Sequence, residues 1–304
     1  MGLDWPDSAI AGPATTPRDV SAVEWRSMRA TFLFLLAAAL LAAQPKRIFV
    51  ITDAEGVAGV CRQEQTDPKN SEMQRLLTGE VNAAVEGFFK GGATEVVVWD
   101  GHDGSETLSA LTIDPRAKLV MGALSPIMLM DRGYSAMAFV GQHARANSPG
   151  GVMAHSYSSL GIQNLLMNGK PVGEIETRAA LAGWYHVPVI FLSGDQQAAA
   201  QLHAIVPDAE TAVVKEGLDN YACISLSAQA ARDLIRVGAA ASMAKIGKIQ
   251  PYRLEGPVTI QIEYTSRHAL RQGADLQPGA EVIDARTIRY HGKDFLEAWE
   301  RSRP

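Results

Sequence analysis

The chain has only two cysteines, no dense run of basic residues, and no uninterrupted apolar stretch of the twenty or so residues that a bilayer-spanning helix needs. Each absence excludes something. Two cysteines, Cys61 and Cys223, are too few for a disulfide scaffold or a Cys-rich zinc site. Isolated cysteines are more often small buried hydrophobes than a bonded pair, although one bond between these two stays open. With a net charge of -5 and a pI near 5.8, neither nucleic acid nor an anionic membrane surface is an expected partner. No internal repeat is visible. What is present is an ordinary core-forming composition, 47% hydrophobic and 20% charged, over 304 residues. That is enough for one large domain or two modest ones.

The N-terminus stands apart. Met28-Arg29 precedes an apolar run from Thr31 to Ala43, and polar Gln44-Pro45-Lys46-Arg47 follows. A basic start, an apolar centre of about a dozen residues and small residues before a polar break are the marks of a secretory signal. No cysteine follows Ala42-Ala43, so this junction offers no lipid-anchor site. Residues 1–27 are rich in Pro, Ser, Thr and Asp without periodicity, and translation starting at Met28 would remove them. A buried N-terminal helix is the competing reading. The expectation is export, periplasmic or secreted, if the Met28–Ala43 signal is used, and a cytoplasmic protein otherwise. No stable membrane insertion is expected once the signal is removed.

From Lys46 onward, strand-like and helix-like segments alternate, which predicts right-handed βαβ crossovers and a mostly parallel sheet flanked by helices. Strands are expected at 47–52, 95–99, 118–122, 136–140, 187–192 and 212–214. Helices are expected at 71–90 behind a Ser71 capping box, at 126–132, at 175–185, from Asp195 to Ile205, and at 227–246. Asn168-Gly169 between two strand-like runs is a strong hairpin signal, because both residues tolerate positive φ. After Gln250-Pro251 the style changes. Val258–Tyr264 and Glu281–Tyr290 alternate apolar with polar, and Asp294 opens a last helix. The expected layout is an α/β body over 44–250 and a smaller α+β part over 251–304.

Three apolar runs end in metal-ligand side chains. Arg47–Thr52 leads into Asp53-Ala54-Glu55-Gly56, Glu95–Trp99 into Asp100-Gly101-His102, and Ala136–Val140 into Gly141-Gln142-His143. In open α/β sheets, ligands bind at the carboxyl ends of the strands. Two carboxylates and two imidazoles should therefore meet at one rim. Asp53 and Glu55, two apart on an extended segment, face the same side. Each group has a plainer reading: an acidic pair can cap the next segment, and a lone histidine is more often hydrogen-bonded than ligating. Glu174, at a helix start, is favoured there by the helix dipole alone. His155, in Met153-Ala154-His155-Ser156, carries no local signature, and His186 and His203 look unremarkable.

Taken together, Asp53-Ala54-Glu55-Gly56, Asp100-Gly101-His102, Gly141-Gln142-His143-Ala144, Met153-Ala154-His155-Ser156 and Asn168–Glu174 resemble the DppA-type zinc D-aminopeptidases, in order and nearly in spacing. The resemblance runs from about Lys46 to the C-terminus. It implies that Asp53, Glu55, His102, His143 and Glu174 hold two zinc ions per subunit, with Asp53 bridging, and that His155 is the catalytic histidine. It also implies a ring-shaped homo-oligomer acting on short peptides with an N-terminal D-residue such as D-Ala. The chain departs from the family in Ile51, where Ser is common, in Gln142, where Tyr is common, and in being exported. A carboxylate and imidazole set without thiolates suits catalytic zinc, with manganese or cobalt as near substitutes. Two alternatives stay open: another two-metal hydrolase, such as an esterase or phosphatase, and an exported solute-binding protein.

Overall fold

In the computed structural model of the chain, residues 1, 25–27, 29, 45–124, 127–267 and 278–303 are described. The expected signal segment lies outside them apart from Arg29. Pro45–Pro304 is one compact unit. Its strands are β1 (Arg47–Thr52), β2 (Glu95–Trp99), β3 (Ala117–Val120), β4 (Ala136–Gln142), β5 (Ile162–Met167), β6 (Lys170–Pro171), β7 (Val189–Asp195), β8 (Glu210–Asp219), β9 (Ala222–Ser225), β10 (Val258–Tyr264), β11 (Ala280–Val282) and β12 (Thr287–Gly292). Its helices are α1 (Ser71–Lys90), α2 (Glu174–Trp184), α3 (Gln196–Ile205), α4 (Ala228–Ser242) and α5 (Phe295–Ser302).

The main sheet runs β3-β2-β1-β4-β7-β8-β9, parallel throughout except for the β8–β9 hairpin. Its inner strands are near-continuous apolar runs because both faces are covered: Ile48–Ile51, Ala136–Val140 and Val189–Leu192 are all buried. Helix α1 packs with α4, and α2 packs with α3. Phe88 of α1 meets Phe191 of β7 edge-on at 5.9 Å, the kind of contact that fastens helix to sheet. The chain builds outward from β1 through β2 to β3, then returns to the other side of β1 as β4. Strand order reverses between β1 and β4, which is the topological switch point where such sheets bind ligands.

A second, antiparallel sheet runs β11-β12-β10-β5-β6. Asn168 and Gly169 take φ of 51° and 76° and make the expected tight turn between β5 and β6. Of this sheet's C-terminal strands, β10 pairs with β5 from the middle of the chain, and Pro45–Pro304 forms one compact unit. Alternation in the sequence identifies such strands but cannot say which partners they choose.

Several local expectations also shift. Helix α1 is capped by Asn70, whose side chain accepts from the backbone N–H of Glu72 and Met73, not by a Ser71 box. The helix expected at 126–132 contracts to a single 3-10 turn, Met130–Arg132, with residues 125 and 126 outside the described set. Strand β8 is longer than the apolar run Ala212-Val213-Val214, and β9 was not expected. Helix α4 ends at Ser242 in a 3-10 turn, Met243–Lys245. Asp195, Ser227 and Asp294 cap α3, α4 and α5 through their side chains. Cys61 and Cys223, 162 residues apart, are joined in a disulfide. Tertiary proximity, invisible to composition, makes that bond.

Candidate metal centre

The site begins with a close crossing of two strand ends. Asp53 N–H donates to Val140 O at 2.9 Å, and Gly56 N–H donates to Gly141 O at 2.7 Å. A Cβ on Gly56 would sit 2.1 Å from Gln142 O, and one on Gly141 2.1 Å from Asp53 O. Gly141 also has φ of 77°. Only glycine permits this approach. It brings the acidic pair after β1 beside His143, which follows β4.

All six expected residues converge. His102 Nδ1 lies 3.1 Å from Asp53 Oδ1 and 3.2 Å from Glu55 Oε2. His143 Nε2 lies 3.5 Å from Asp53 Oδ2 and 3.5 Å from Glu174 Oε2. The two oxygens of Asp53 thus face different imidazoles, from different strands. Asp53, Glu55 and His102 form one triad whose donor atoms lie within 4.8 Å of one another, and His143, His155 and Glu174 form a second. The His155 ring stacks on His143 with centroids 4.1 Å apart and planes 12° apart. His186 and His203 stand elsewhere, against Arg253 and Ala209 O. Asp100 has a structural role: its carboxylate accepts from the N–H groups of Thr107 and Leu108, both at 2.8 Å.

The imidazoles are oriented from behind. The outer nitrogen of His102, Nε2, donates to Thr66 O at 2.8 Å, and that of His143, Nδ1, donates to Ala144 O at 2.8 Å. Such bonds set which nitrogen faces inward. His155 Nδ1 donates to Met153 O at 2.8 Å, leaving Nε2 for the site. Its loop holds two non-glycine residues at positive φ, Met153 at 49° and Tyr157 at 61°. That conformation is costly and is typical of functional loops. Glu174, the first residue of α2, accepts from Tyr157 N–H at 2.8 Å through Oε1.

Charge in the cluster is tightly coupled. Burial and the adjacent Glu55 push Asp53 up to about 7. Burial alone would raise Glu55 and Glu174, but nearby positive charge outweighs it and holds both well below the usual range. That charge is His102 for Glu55, and His143 with Arg178 for Glu174. The carboxylates in turn overcome the effect of burial on the imidazoles, raising His102 to about 12 and His143 to about 10. His155 moves down, because it is buried beside His143. Three packed carboxylates demand positive charge here; divalent cations would meet that demand with the imidazoles neutral.

The inward atoms fit a metal. Among the described residues, Glu55 Oε2 and His143 Nε2 are buried without a hydrogen bond, so each keeps a lone pair for a ligand bond. The five expected ligands are at most 5% exposed.

Three participants were not expected. Gln142 Nε2 donates to Asp53 Oδ2 and Glu174 Oε2, both at 3.1 Å, spanning the two triads. The sequence shows it only as a departure from a common tyrosine. Arg178 lies one helical turn beyond Glu174, 3.5 Å from its Oε2, with its guanidinium 5.7 Å from the ring centroid of Trp99 and 5.6 Å from that of Tyr157. The i, i+4 spacing could have pointed to it. Lys215 reaches in from β8 to carbonyls of the 55–60 loop. Its position at the end of an apolar strand gave no signal.

Residues 46–303 match the sequence profile of peptidase family M55, described as D-aminopeptidase. The chain belongs to that family. It is 31% identical over 261 residues to a D-aminopeptidase of Bacillus subtilis strain 168, covering 84% of this chain and 94% of the relative. The fold superposes with a TM-score of 0.76 on the Zn-dependent D-aminopeptidase DppA from Bacillus subtilis, described as a self-compartmentalizing protease. Identity there is 30%, over 84% of this chain and 94% of that one. This M55 member is therefore a metal-dependent aminopeptidase on an α/β scaffold, and the rim at the β1/β4 switch point is where its chemistry-bearing side chains gather.

Proposed function

We propose that the protein hydrolyses the N-terminal residue of short peptides, D-Ala or a similar D-residue, with two zinc ions held by Asp53, Glu55, His102, His143 and Glu174. The observation that carries this reading is Asp53, whose two carboxylate oxygens face His102 and His143 separately, so that it touches both groups of candidate ligands. The Bacillus subtilis relative is zinc-dependent, and a donor set of carboxylates and imidazoles without thiolate agrees with that metal. Bound zinc would supply Lewis acidity towards the scissile carbonyl and a water made acidic near neutral pH.

The chain's own side chains supply the rest. His155, half-buried where the ligands are fully buried, offers the substrate its approach. Its depressed pKa keeps Nε2 neutral at pH 7, so it can take a proton and pass it to the departing amine. The Met153 O bond fixes the ring for that transfer. Gln142 holds the Asp53 and Glu174 carboxylates in place through its amide.

The chain is further proposed to form a homo-oligomer, a ring enclosing its active sites, on the strength of the self-compartmentalizing relative. Export is proposed from the Met28–Ala43 segment, and the Cys61–Cys223 disulfide agrees with an oxidising compartment. The N-terminus of the mature chain from its native host tests it; a chain retaining Trp5 counts against the signal.

The decisive assay compares D-Ala and L-Ala amides with phosphate and carboxylate esters, before and after chelation. Turnover of the D-Ala amide that chelator abolishes and zinc restores is expected. Preference for an ester, or activity indifferent to chelator, would overturn the reading.

A further inference from the structure

Beneath the acidic pair, the chain buries an ammonium group that the chemistry above does not use. Lys215, on β8, is 2% exposed. Its Nζ donates to three backbone carbonyls of one loop: Glu55 O, Val57 O at 3.0 Å, and Val60 O. An ammonium has three donors, and all three are spent here on backbone, none on a carboxylate. Burying a charge is costly unless its partners are well arranged. Three carbonyls turned inward to one point make a set of acceptors that a buried ammonium, with its three donors, satisfies at once.

That set includes the peptide of a metal ligand. Other ties bind the same loop further along: Glu80 Oε1 accepts Ala58 N–H at 2.8 Å, Ser225 Oγ accepts Gly59 N–H at 2.8 Å, Gln65 accepts Cys61 N–H at 2.9 Å and donates to Gly59 O at 3.1 Å, and Cys61 is bonded to Cys223. Those ties fix residues 58–61. The carbonyl side of Glu55, by contrast, is gathered by Lys215. Without the ammonium, three converging carbonyl dipoles would repel, and the Glu55–Gly56 peptide would keep its N–H tie to Gly141 O but lose the anchor at its carbonyl. The carboxylate of Glu55, whose Oε2 faces His102, would move with that peptide.

We propose that Lys215 is a positioning residue for the metal-ligand loop, setting the placement of Glu55 beside Asp53 and His102. The inference rests on the two-metal reading above.

The test compares full-length wild type, Lys215→Met, and the double variant Cys61→Ser/Cys223→Ser. Zinc affinity is read by competition with a chromophoric chelator, and melting is followed on the zinc-free chains. Lys215→Met should bind zinc at least about tenfold more weakly, the usual scale for losing support behind a metal ligand, with kcat falling and KM little changed. The double cysteine variant should melt lower yet keep near wild-type zinc affinity, because its tie lies beyond Glu55. A folded Lys215→Met that binds zinc within twofold of wild type, or shows only a lower melting temperature, would overturn the proposal. If Lys215→Met does not fold, Lys215→Arg keeps the charge but cannot aim three donors at one point. It should fold and still lose zinc affinity; wild-type affinity in it would likewise overturn the role. Wild type that binds no zinc would instead sink the two-metal reading, and this proposal with it.

Discussion

The two halves of the metal centre are built differently. Asp53, Glu55 and His102 come from the loops after β1 and β2, and main-chain contacts hold them: the Gly56–Gly141 crossing, Thr66 O behind His102, and carbonyls gathered by Lys215. His143, Glu174 and His155 come from the end of β4, a helix start and a strained loop. There, side chains add to the backbone ties of His143, His155 and Glu174, through Gln142, Arg178 and the stack of His155 on His143. The first half is buried throughout. The second includes the half-buried His155 and can meet a substrate. Full burial suits groups that hold a metal, whereas partial exposure suits a group that meets the substrate.

Removing the residue common to both halves should have the largest effect. Asp53→Ala should leave fewer than one zinc per chain and lower kcat by roughly 10³-fold or more, since metal chemistry and its charge stabilisation fail together. His102→Ala or His143→Ala should each cost one ion. Elemental analysis of the purified variants decides; an Asp53→Ala protein that still holds two zinc ions would show that the halves are independent.

His155→Ala sharpens the division within the second half. As a proton carrier, its loss should lower kcat by about 10²- to 10⁴-fold while both zinc ions remain. Loss of one ion instead would make His155 a ligand, which its place in the His143–Glu174 triad permits.

The smallest effect concerns the support of the first half. Burial raises the Glu80 carboxyl to about 7, despite its bond from Ala58 N–H and the nearby Lys215 charge. A raised folded pKa gives stability that is complete below the unfolded value near 4.5 and is lost as pH rises through about 7. The loss is on the order of 3 kcal/mol for a shift of this size. Glu80→Gln should therefore flatten the pH dependence of melting between pH 4.5 and 7. Parallel curves for wild type and variant would show that Glu80 holds no extra proton.

The same contrast explains what could be read without coordinates. Asp53, Glu55, His102 and His143 stand out because buried parallel strands are apolar runs, and polar groups just past their ends must face the rim. Glu174 and His155 follow helix and loop rules that thousands of inert residues also obey, and only family resemblance singles them out. Gln142 shows as a departure without a role, because its two acceptors are 89 and 32 residues away. Lys215 and the Cys61–Cys223 bond join segments more than 150 residues apart, and no local pattern records such a meeting.

By itself, the sequence determined the alternation of strand and helix, the strand ends that carry acid and imidazole, and the turn at Asn168-Gly169. These depend on local periodicity and backbone preference, which neighbouring residues encode. The tertiary structure alone decided that β10 pairs with β5, that Asp53 shows one oxygen to each half, and that a lysine and a disulfide brace the acidic loop. Those outcomes depend on which distant surfaces come into register, and that is settled only when the whole core packs.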